Sequence, residues 1–278
     1  MDIASYLSWP SALSDPSGSR EPKPRTCGKT MVIDNGLGLQ AFEDLLQTSD
    51  EHIDMIKIGF GTSALYPPKL LQKKITLAKA HNIRILPGGT FLEVAVVQGE
   101  VSAFFEMIDL LGYDSVEISD GTIDMNRELR NSLIQRSLEN GLEVFTEYGK
   151  KCWGSKFEIE DLIETIYWDT KYGASLVTVE GRESGVGVGI YDEDGNCRES
   201  DLERVLSSIP NRRVLMWEAP HKSQQIQLMK SFGHEVNLGN IAPQDLIALE
   251  ALRRGLRSDT FVFEQRGRLQ HTGVNETR

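Results

Sequence analysis

A closed (β/α)8 barrel, the TIM-barrel class of α/β fold, is what this 278-residue sequence predicts. Three observations predict it. Eight short β-branched runs alternate with eight amphipathic stretches, the pattern of a parallel sheet wrapped by helices. Several of the amphipathic stretches stop at a glycine just before the next run, where glycine supplies the left-handed turn that closes a helix. Those glycines, Gly112, Gly141, Gly173 and Gly233, fall 29, 32 and 60 residues apart. A βα unit occupies about 30 residues, so the spacings are one unit, one unit and two.

The elements follow in order. TMVID (30–34) precedes LQAFEDLLQ, DMIKIG (54–59) precedes PKLLQKKITLAKA, and IRIL (83–86) runs through PGGT toward EVSAFFEMIDLL. SVEIS (115–119) precedes RELRNSLIQRSLEN, and EVFTE (143–147) precedes IEDLIETIYWDTKY. LVTVE (176–180) leads to ESDLERVLSS, VLMWE (214–218) to KSQQIQLMKSF, and EVNLGN (235–240) to PQDLIALEALRRG. In the amphipathic stretches apolar residues recur at helical steps, as in Leu129, Leu133 and Leu138 or Leu162, Ile163 and Ile166. A doubly wound open sheet is the alternative, but its usual glycine-rich first turn is here IDNGLGLQ, a Gly-x-Gly without the third glycine. The barrel is expected over 29–265. Residues 1–28, rich in Ser and Pro and without period, read as a flexible N-terminal arm, and 266–278 as a flexible C-terminal tail.

Composition narrows the function classes. The chain is 40% hydrophobic and 26% charged, with a formal net charge of −11. Nucleic acid and anionic membrane surfaces favour basic patches, so neither is the expected partner. No run of about 18 apolar residues could span a membrane, and the N-terminus lacks the basic and apolar regions of a signal peptide. Cys27, Cys152 and Cys197 have no metal-type spacing and read as reduced thiols, which suits the cytoplasm. Exposed barrel helices would allow a homo-oligomer.

In this fold the active site forms where the strands end. Strand by strand, that rim carries Asp34, Lys57, the PGGT turn, Glu117 with Asp120, and Glu147 followed by Lys150 and Lys151. It continues with Glu180, Arg182 and Glu183, then Glu218, then Asn237 and Asn240. Carboxylates beside cations suit a hard divalent metal together with an anionic substrate, and Mg2+ takes oxygen ligands. Each carboxylate could equally salt-bridge a neighbouring cation. The histidines, His52, His81, His221, His234 and His271, are scattered, which argues against zinc. Lys222 at a helix start and Asn240 before the last helix occupy places that suit an anion. In VEGRESGVGVG (179–189) the glycines give a loop that can pass close to substrate, and Glu183 reads as an orienting partner of Arg182.

The blocks KIGFGTS, PGGTFLE, VEISDGT, TEYGKK, EGRESGVGVG, EAPHKSQQ, VNLGNI and LRRGLRSDTF occur in this order over about residues 29–262. Together they resemble the phosphosulfolactate synthase family, which serves coenzyme M biosynthesis in methanogens and has bacterial members. Phe60 stands where the family commonly has Trp, and Gly239 where Ala is common; neither change removes a polar group. The resemblance implies a Mg2+-dependent lyase that adds sulfite to phosphoenolpyruvate, giving (2R)-phospho-3-sulfolactate. Of the catalytic candidates Lys150 and Lys151 in the GKK block, it implies Lys151 as proton donor. On that basis Glu117, Glu147 and Glu180 are the expected metal ligands, and Lys57, Arg182, Lys222 and Asn240 the expected substrate contacts. Two other readings stand beside this one: another Mg2+ enzyme of phosphoenolpyruvate or a related enolate, and a non-catalytic relative like the plant heat-stress-associated proteins.

Overall fold

A computed structural model describes residues 8–261. Eight parallel strands, β1 (Thr30–Asp34), β2 (Met55–Ile58), β3 (Arg84–Pro87), β4 (Ser115–Ile118), β5 (Glu143–Tyr148), β6 (Leu176–Val179), β7 (Leu215–Glu218) and β8 (Asn237–Ile241), form one sheet. Its order is β3-β2-β1-β8-β7-β6-β5-β4, so the chain winds round and β8 pairs back onto β1. The ring is nearly closed. Between β3 and β4, which lie side by side, no backbone ladder joins the described residues; side chains bridge the seam instead. The Asp114 carboxylate accepts the Ile85 N–H at 2.9 Å, and the Glu117 carboxylate accepts the Gly89 N–H at 2.8 Å.

The helices are α1 (Ser11–Ser14), α2 (Leu39–Ser49), α3 (Pro68–Ala80), α4 (Gly89–Gln98), α5 (Val101–Leu111) and α6 (Arg127–Glu139). They continue with α7 (Ile159–Tyr172), α8 (Glu199–Ser208), α9 (Lys222–Phe232) and α10 (Leu246–Arg253). All eight expected helical stretches are present; α4 is an addition, and so is the single turn of α1, inside the segment expected to be a flexible arm. Gly112 and Gly173 close α5 and α7 in the left-handed conformation, as their positions predicted. Gly233 does not: its φ of 90° is positive, but a ψ of 169° takes it out of the left-handed helical region.

Strand alternation decides what each face buries. Outward residues such as Val116, Val144, Val177 and Leu238 pack under the helices in two clusters. Inward residues form a separate layer of Met31, Met55, Leu86, Phe145, Leu176 and Met216. Gly239 belongs beside it, because a Cβ there would lie 2.8 Å from Met31 Cε and 3.2 Å from Met216 Sδ. The pliable methionines take the volume that alanine would occupy. Two residues further along their strands, Lys57, Glu147 and Glu218 occupy the next layer, on top of this apolar floor.

Residues 20–28, expected as part of a flexible arm, are instead anchored to the barrel. Arg20 ion-pairs with Glu250 at 3.0 Å, Arg25 with Asp54 at 3.1 Å, and Cys27 is buried. Buried guanidinium–carboxylate pairs hold a segment that carries no hydrophobic period, so the sequence pattern gives no sign of them. Residues 1–7 of the arm and the 266–278 tail lie outside the described residues. Among the described residues, no helix is long and apolar enough to cross a membrane.

Candidate active site

The charged layer lines a cavity of about 340 Å³ at the strand C-termini. Its centre is Lys57, whose Nζ lies 2.8 Å from Glu218 Oε1, 3.2 Å from Glu117 Oε1 and 3.9 Å from Glu147 Oε2. Burial alone would push this ammonium down, but the three carboxylates outweigh it and hold it well above its usual range. Glu218 is fixed from its other side, since Oε2 accepts the Gly181 and Arg182 N–H groups at 3.0 and 3.1 Å.

Lys151 is the second cation. It follows β5 by three residues, and its Nζ lies 2.8 Å from Glu147 Oε1, 3.6 Å from Glu180 Oε2 and 3.7 Å from Glu93 Oε1. Thr90 Oγ1 at 3.1 Å and Ser119 Oγ at 3.2 Å complete its surroundings. Burial opposes the charge here too, and Glu147, Glu180 and Glu117 again raise the ammonium above its ordinary value. The same lysines act on Glu147. Burial would raise its carboxyl, but Lys151 and Lys57 bring it down to about 2. Glu180, buried and facing the charges of Glu147 and Glu218, is pushed well up.

Five buried carboxylates, Glu93, Glu117, Glu147, Glu180 and Glu218, thus surround two ammonium groups. One oxygen each from Glu147, Glu180 and Glu218 lies within 4.8 Å of the other two. Glu180 Oε2 is buried without a hydrogen bond. An all-oxygen donor set with surplus negative charge fits a hard divalent cation such as Mg2+, whose charge would offset the mutual repulsion of these carboxylates.

Two loops carry the upper wall. Gly154 N–H donates to Gly187 O at 2.9 Å, tying the loop after β5 to the loop after β6. The Trp153 ring lies on Gly187, where a Cβ would come within 2.6 Å of it; the φ of +64° there excludes most side chains as well. Arg182, also in the left-handed region at φ 57°, lines the cavity mouth. On the far side the β1–β8 register shifts between Thr30 and Val32, and Asn240 sits in this irregularity at φ 55°. Its amide lines the cavity, and its buried Oδ1 meets no partner among the described residues.

The sequence pattern of (2R)-phospho-3-sulfolactate synthase (ComA) matches residues 18–259. The chain belongs to the phosphosulfolactate synthase family. The phosphosulfolactate synthase of Methanocaldococcus jannaschii is 42% identical over 236 residues, covering 84% of this chain and 94% of the relative. That of Methanothermobacter thermautotrophicus is 39% identical, covering 87% and 94%, and that of Bacillus subtilis 39%, covering 87% and 95%. Among solved structures, the YdjI aldolase from Escherichia coli aligns with a TM-score of 0.54 at 11% identity, covering 87% of this chain and 86% of its own. A 3-hexulose-6-phosphate synthase aligns at 0.50 and 16%, covering 80% and 98%. These two likenesses concern the barrel fold alone.

The phosphosulfolactate synthase blocks of the sequence meet unevenly at the cavity. Lys57, Glu117, Glu147, Lys151, Glu180, Arg182 and Asn240 all line it. Lys150 does not: its ammonium donates to Asp120 O and Ile123 O, both at 2.8 Å, because adjacent loop residues point apart. Lys222 does not either, since it pairs with Asp259 at 3.0 Å. Glu117 is held by Lys57 and Gly89 and stands outside the carboxylate trio, whose third member is Glu218. No ion pair joins Glu183 to Arg182 among the described residues. In the β6 loop Gly187 faces the Trp153 ring, Gly185 the side chains of Gln224 and His221, and Gly189 the Glu180 carbonyl, so protein atoms fill the room expected beside substrate. Sequence reasoning had Glu218 on the rim without a role, and it missed Glu93, Thr90 and Ser119. All three lie in the family blocks PGGTFLE and VEISDGT, the one signal that could have drawn attention to them.

Proposed function

We propose that this chain catalyses the addition of sulfite to phosphoenolpyruvate with Mg2+, giving (2R)-phospho-3-sulfolactate, a carbon–sulfur lyase reaction run in the direction of synthesis. The observation that carries the reading is the convergence of Lys151 with Glu147, Glu180 and Glu218 on one cavity in a phosphosulfolactate synthase family barrel.

The reaction sets two demands. Its substrates are both anions, and their approach costs Coulomb energy unless cations face them. The sulfite sulfur lone pair forms the new bond to C3, and the C2=C3 electrons move onto C2 and the carboxylate, where charge develops. Glu147, Glu180 and Glu218 would hold Mg2+, which when bound supplies Lewis-acid stabilisation of that charge. Lys57 keeps Glu218 and Glu117 in place from below. Arg182, at the mouth, presents its guanidinium to the incoming anion, and Asn240 offers an amide whose hydrogen-bonding capacity is otherwise unmet. Lys151 carries the proton that C2 takes up; the raised ammonium ensures that the proton is present at neutral pH. Its neutral amine then recovers a proton from water, since the side chain is 22% exposed.

The test is incubation of the purified protein with phosphoenolpyruvate, sulfite and Mg2+, with mass spectrometry for phosphosulfolactate. Product that depends on all three additions is expected; its absence at every Mg2+ concentration would sink the reading.

A further inference from the structure

A lysine on a four-carbon stem is a flexible donor, so its direction has to be imposed by its neighbours. Around Lys151 the imposition is layered. Lys151 N–H donates to Gly121 O at 2.9 Å, and a Cβ on Gly121 would lie 2.9 Å from Lys151 Cγ, so the stem lies against that glycine. At its tip, Nζ donates to Ser119 Oγ at 3.2 Å and to Thr90 Oγ1 at 3.1 Å, beside the ion pair with Glu147.

Ser119 is polarised in one sense. Its hydroxyl donates to Glu93 Oε1 in a short hydrogen bond, so its lone pairs are left to accept from Lys151 and from the Gly121 N–H at 3.3 Å. Glu93 is held in turn, because Oε2 accepts the Thr122 N–H at 3.0 Å. Both Glu93 oxygens therefore accept, and an amide in its place could satisfy only one of the two donors. The chain from Lys151 through Ser119 to Glu93 runs in a single direction and ends on a carboxylate that is 2% exposed. Thr90 differs from Ser119: it lines the cavity, while Ser119 is fully buried.

We propose that Ser119 and Glu93 are positioning residues that aim the Lys151 ammonium, leaving the proton now facing Thr90 as the one delivered to substrate. The assignment rests on Lys151 being the proton donor of the proposed reaction. In the transfer, the Nζ–H bond breaks as the C2–H bond forms, and the amine that remains keeps its contacts to Glu147 and Ser119.

Two measurements on the full chain test this. In the first, Ser119→Ala and Glu93→Gln are assayed for phosphosulfolactate formation. Misaiming the donor should lower kcat by about 10²-fold while KM for phosphoenolpyruvate stays near wild type. Thr90→Val, which removes only a partner that the substrate displaces, should lose much less. In the second, the proteins are labelled with trinitrobenzenesulfonate, and modification of Lys151 is read against Lys150 as an internal standard. Freed from Ser119, Lys151 should be labelled several-fold faster relative to Lys150. Folded variants with wild-type kcat overturn the proposal, whether or not the labelling ratio moves. Should Ser119→Ala fail to fold, the isosteric Glu93→Gln carries both measurements. If the wild type makes no phosphosulfolactate, the proposed reaction falls, and the labelling ratio alone then decides whether Ser119 and Glu93 aim this lysine.

Discussion

Lys57 Nζ and Glu218 Oε1 meet at 2.8 Å across the inside of the barrel, joining β2 to β7 beneath the cavity. The pair is buried, and Lys57 also neutralises Glu117. Removing one partner from such a cluster strands the others without compensation. Lys57→Met should therefore destabilise the protein by about 3–5 kcal/mol, read from urea unfolding. Unfolding indistinguishable from wild type would mean that the carboxylates are neutral in the folded state.

Lys151→Ala tests the chemistry rather than the fold. Loss of a general acid costs about 10²–10⁴-fold in rate, so product formation should drop by that factor in a variant that circular dichroism shows to be folded. Near wild-type turnover would exclude Lys151 as the donor.

Lys150 and Lys222 provide the contrast. Both are directed away from the cavity, toward backbone carbonyls of the β4 loop and toward Asp259. An exposed pair such as Lys222–Asp259 contributes about 0–1 kcal/mol. Alanine at either position should leave kcat near wild type, and a loss comparable to that of Lys151→Ala would place the lysine at the reaction after all.

Metal binding separates the glutamates. Chelation should abolish product formation and Mg2+ should restore it. In titration calorimetry, Glu180→Gln and Glu218→Gln should weaken Mg2+ by at least the roughly 10- to 100-fold typical of outer-shell losses, and Glu117→Gln by less. Equal effects at all three positions would contradict the trio.

Stability against acid has a defined sign at Glu250. Burial would raise this carboxyl, but hydrogen bonds and charge from Arg20 and then Arg254 bring it from 4.5 to about 2. A depressed carboxylate stabilises the fold above its unfolded value and loses that contribution as pH falls from about 4.5 through about 2. Denaturation at pH 5 and pH 3 should show a smaller drop for Glu250→Gln than for wild type, and an equal drop would mean the Arg20 anchor contributes nothing.

The barrel was legible because strand and helix periods are properties of neighbouring residues. Helix α4 escaped for the same reason. It begins on Gly88 and Gly89 and continues through FLEVAVV, apolar on several sides with Val94 and Val97 exposed, so no helical stripe stands out. With it went Thr90 and Glu93. Strand ends announced Glu147, Glu180 and Glu218 equally, but what sets Glu218 apart is a pair of backbone N–H groups from another strand's loop. Lys57 was legible as a cation and not as a neutralised one, because its three partners come from β4, β5 and β7. In the same way residue type and position do not separate Lys150 from Lys151; the family resemblance singled out Lys151, and loop direction supplies the physical reason.

The seam between β3 and β4 gives Glu117 a double allegiance. One of its oxygens takes the Gly89 N–H in place of a missing rung of the sheet, and the same carboxylate holds Lys57 under the cavity. Wall and chemistry share an atom there. A substitution at Glu117 that silences the enzyme would loosen a stave of the barrel at the same time, so a dead variant at that position says nothing about catalysis until the closure of the wall has been measured separately.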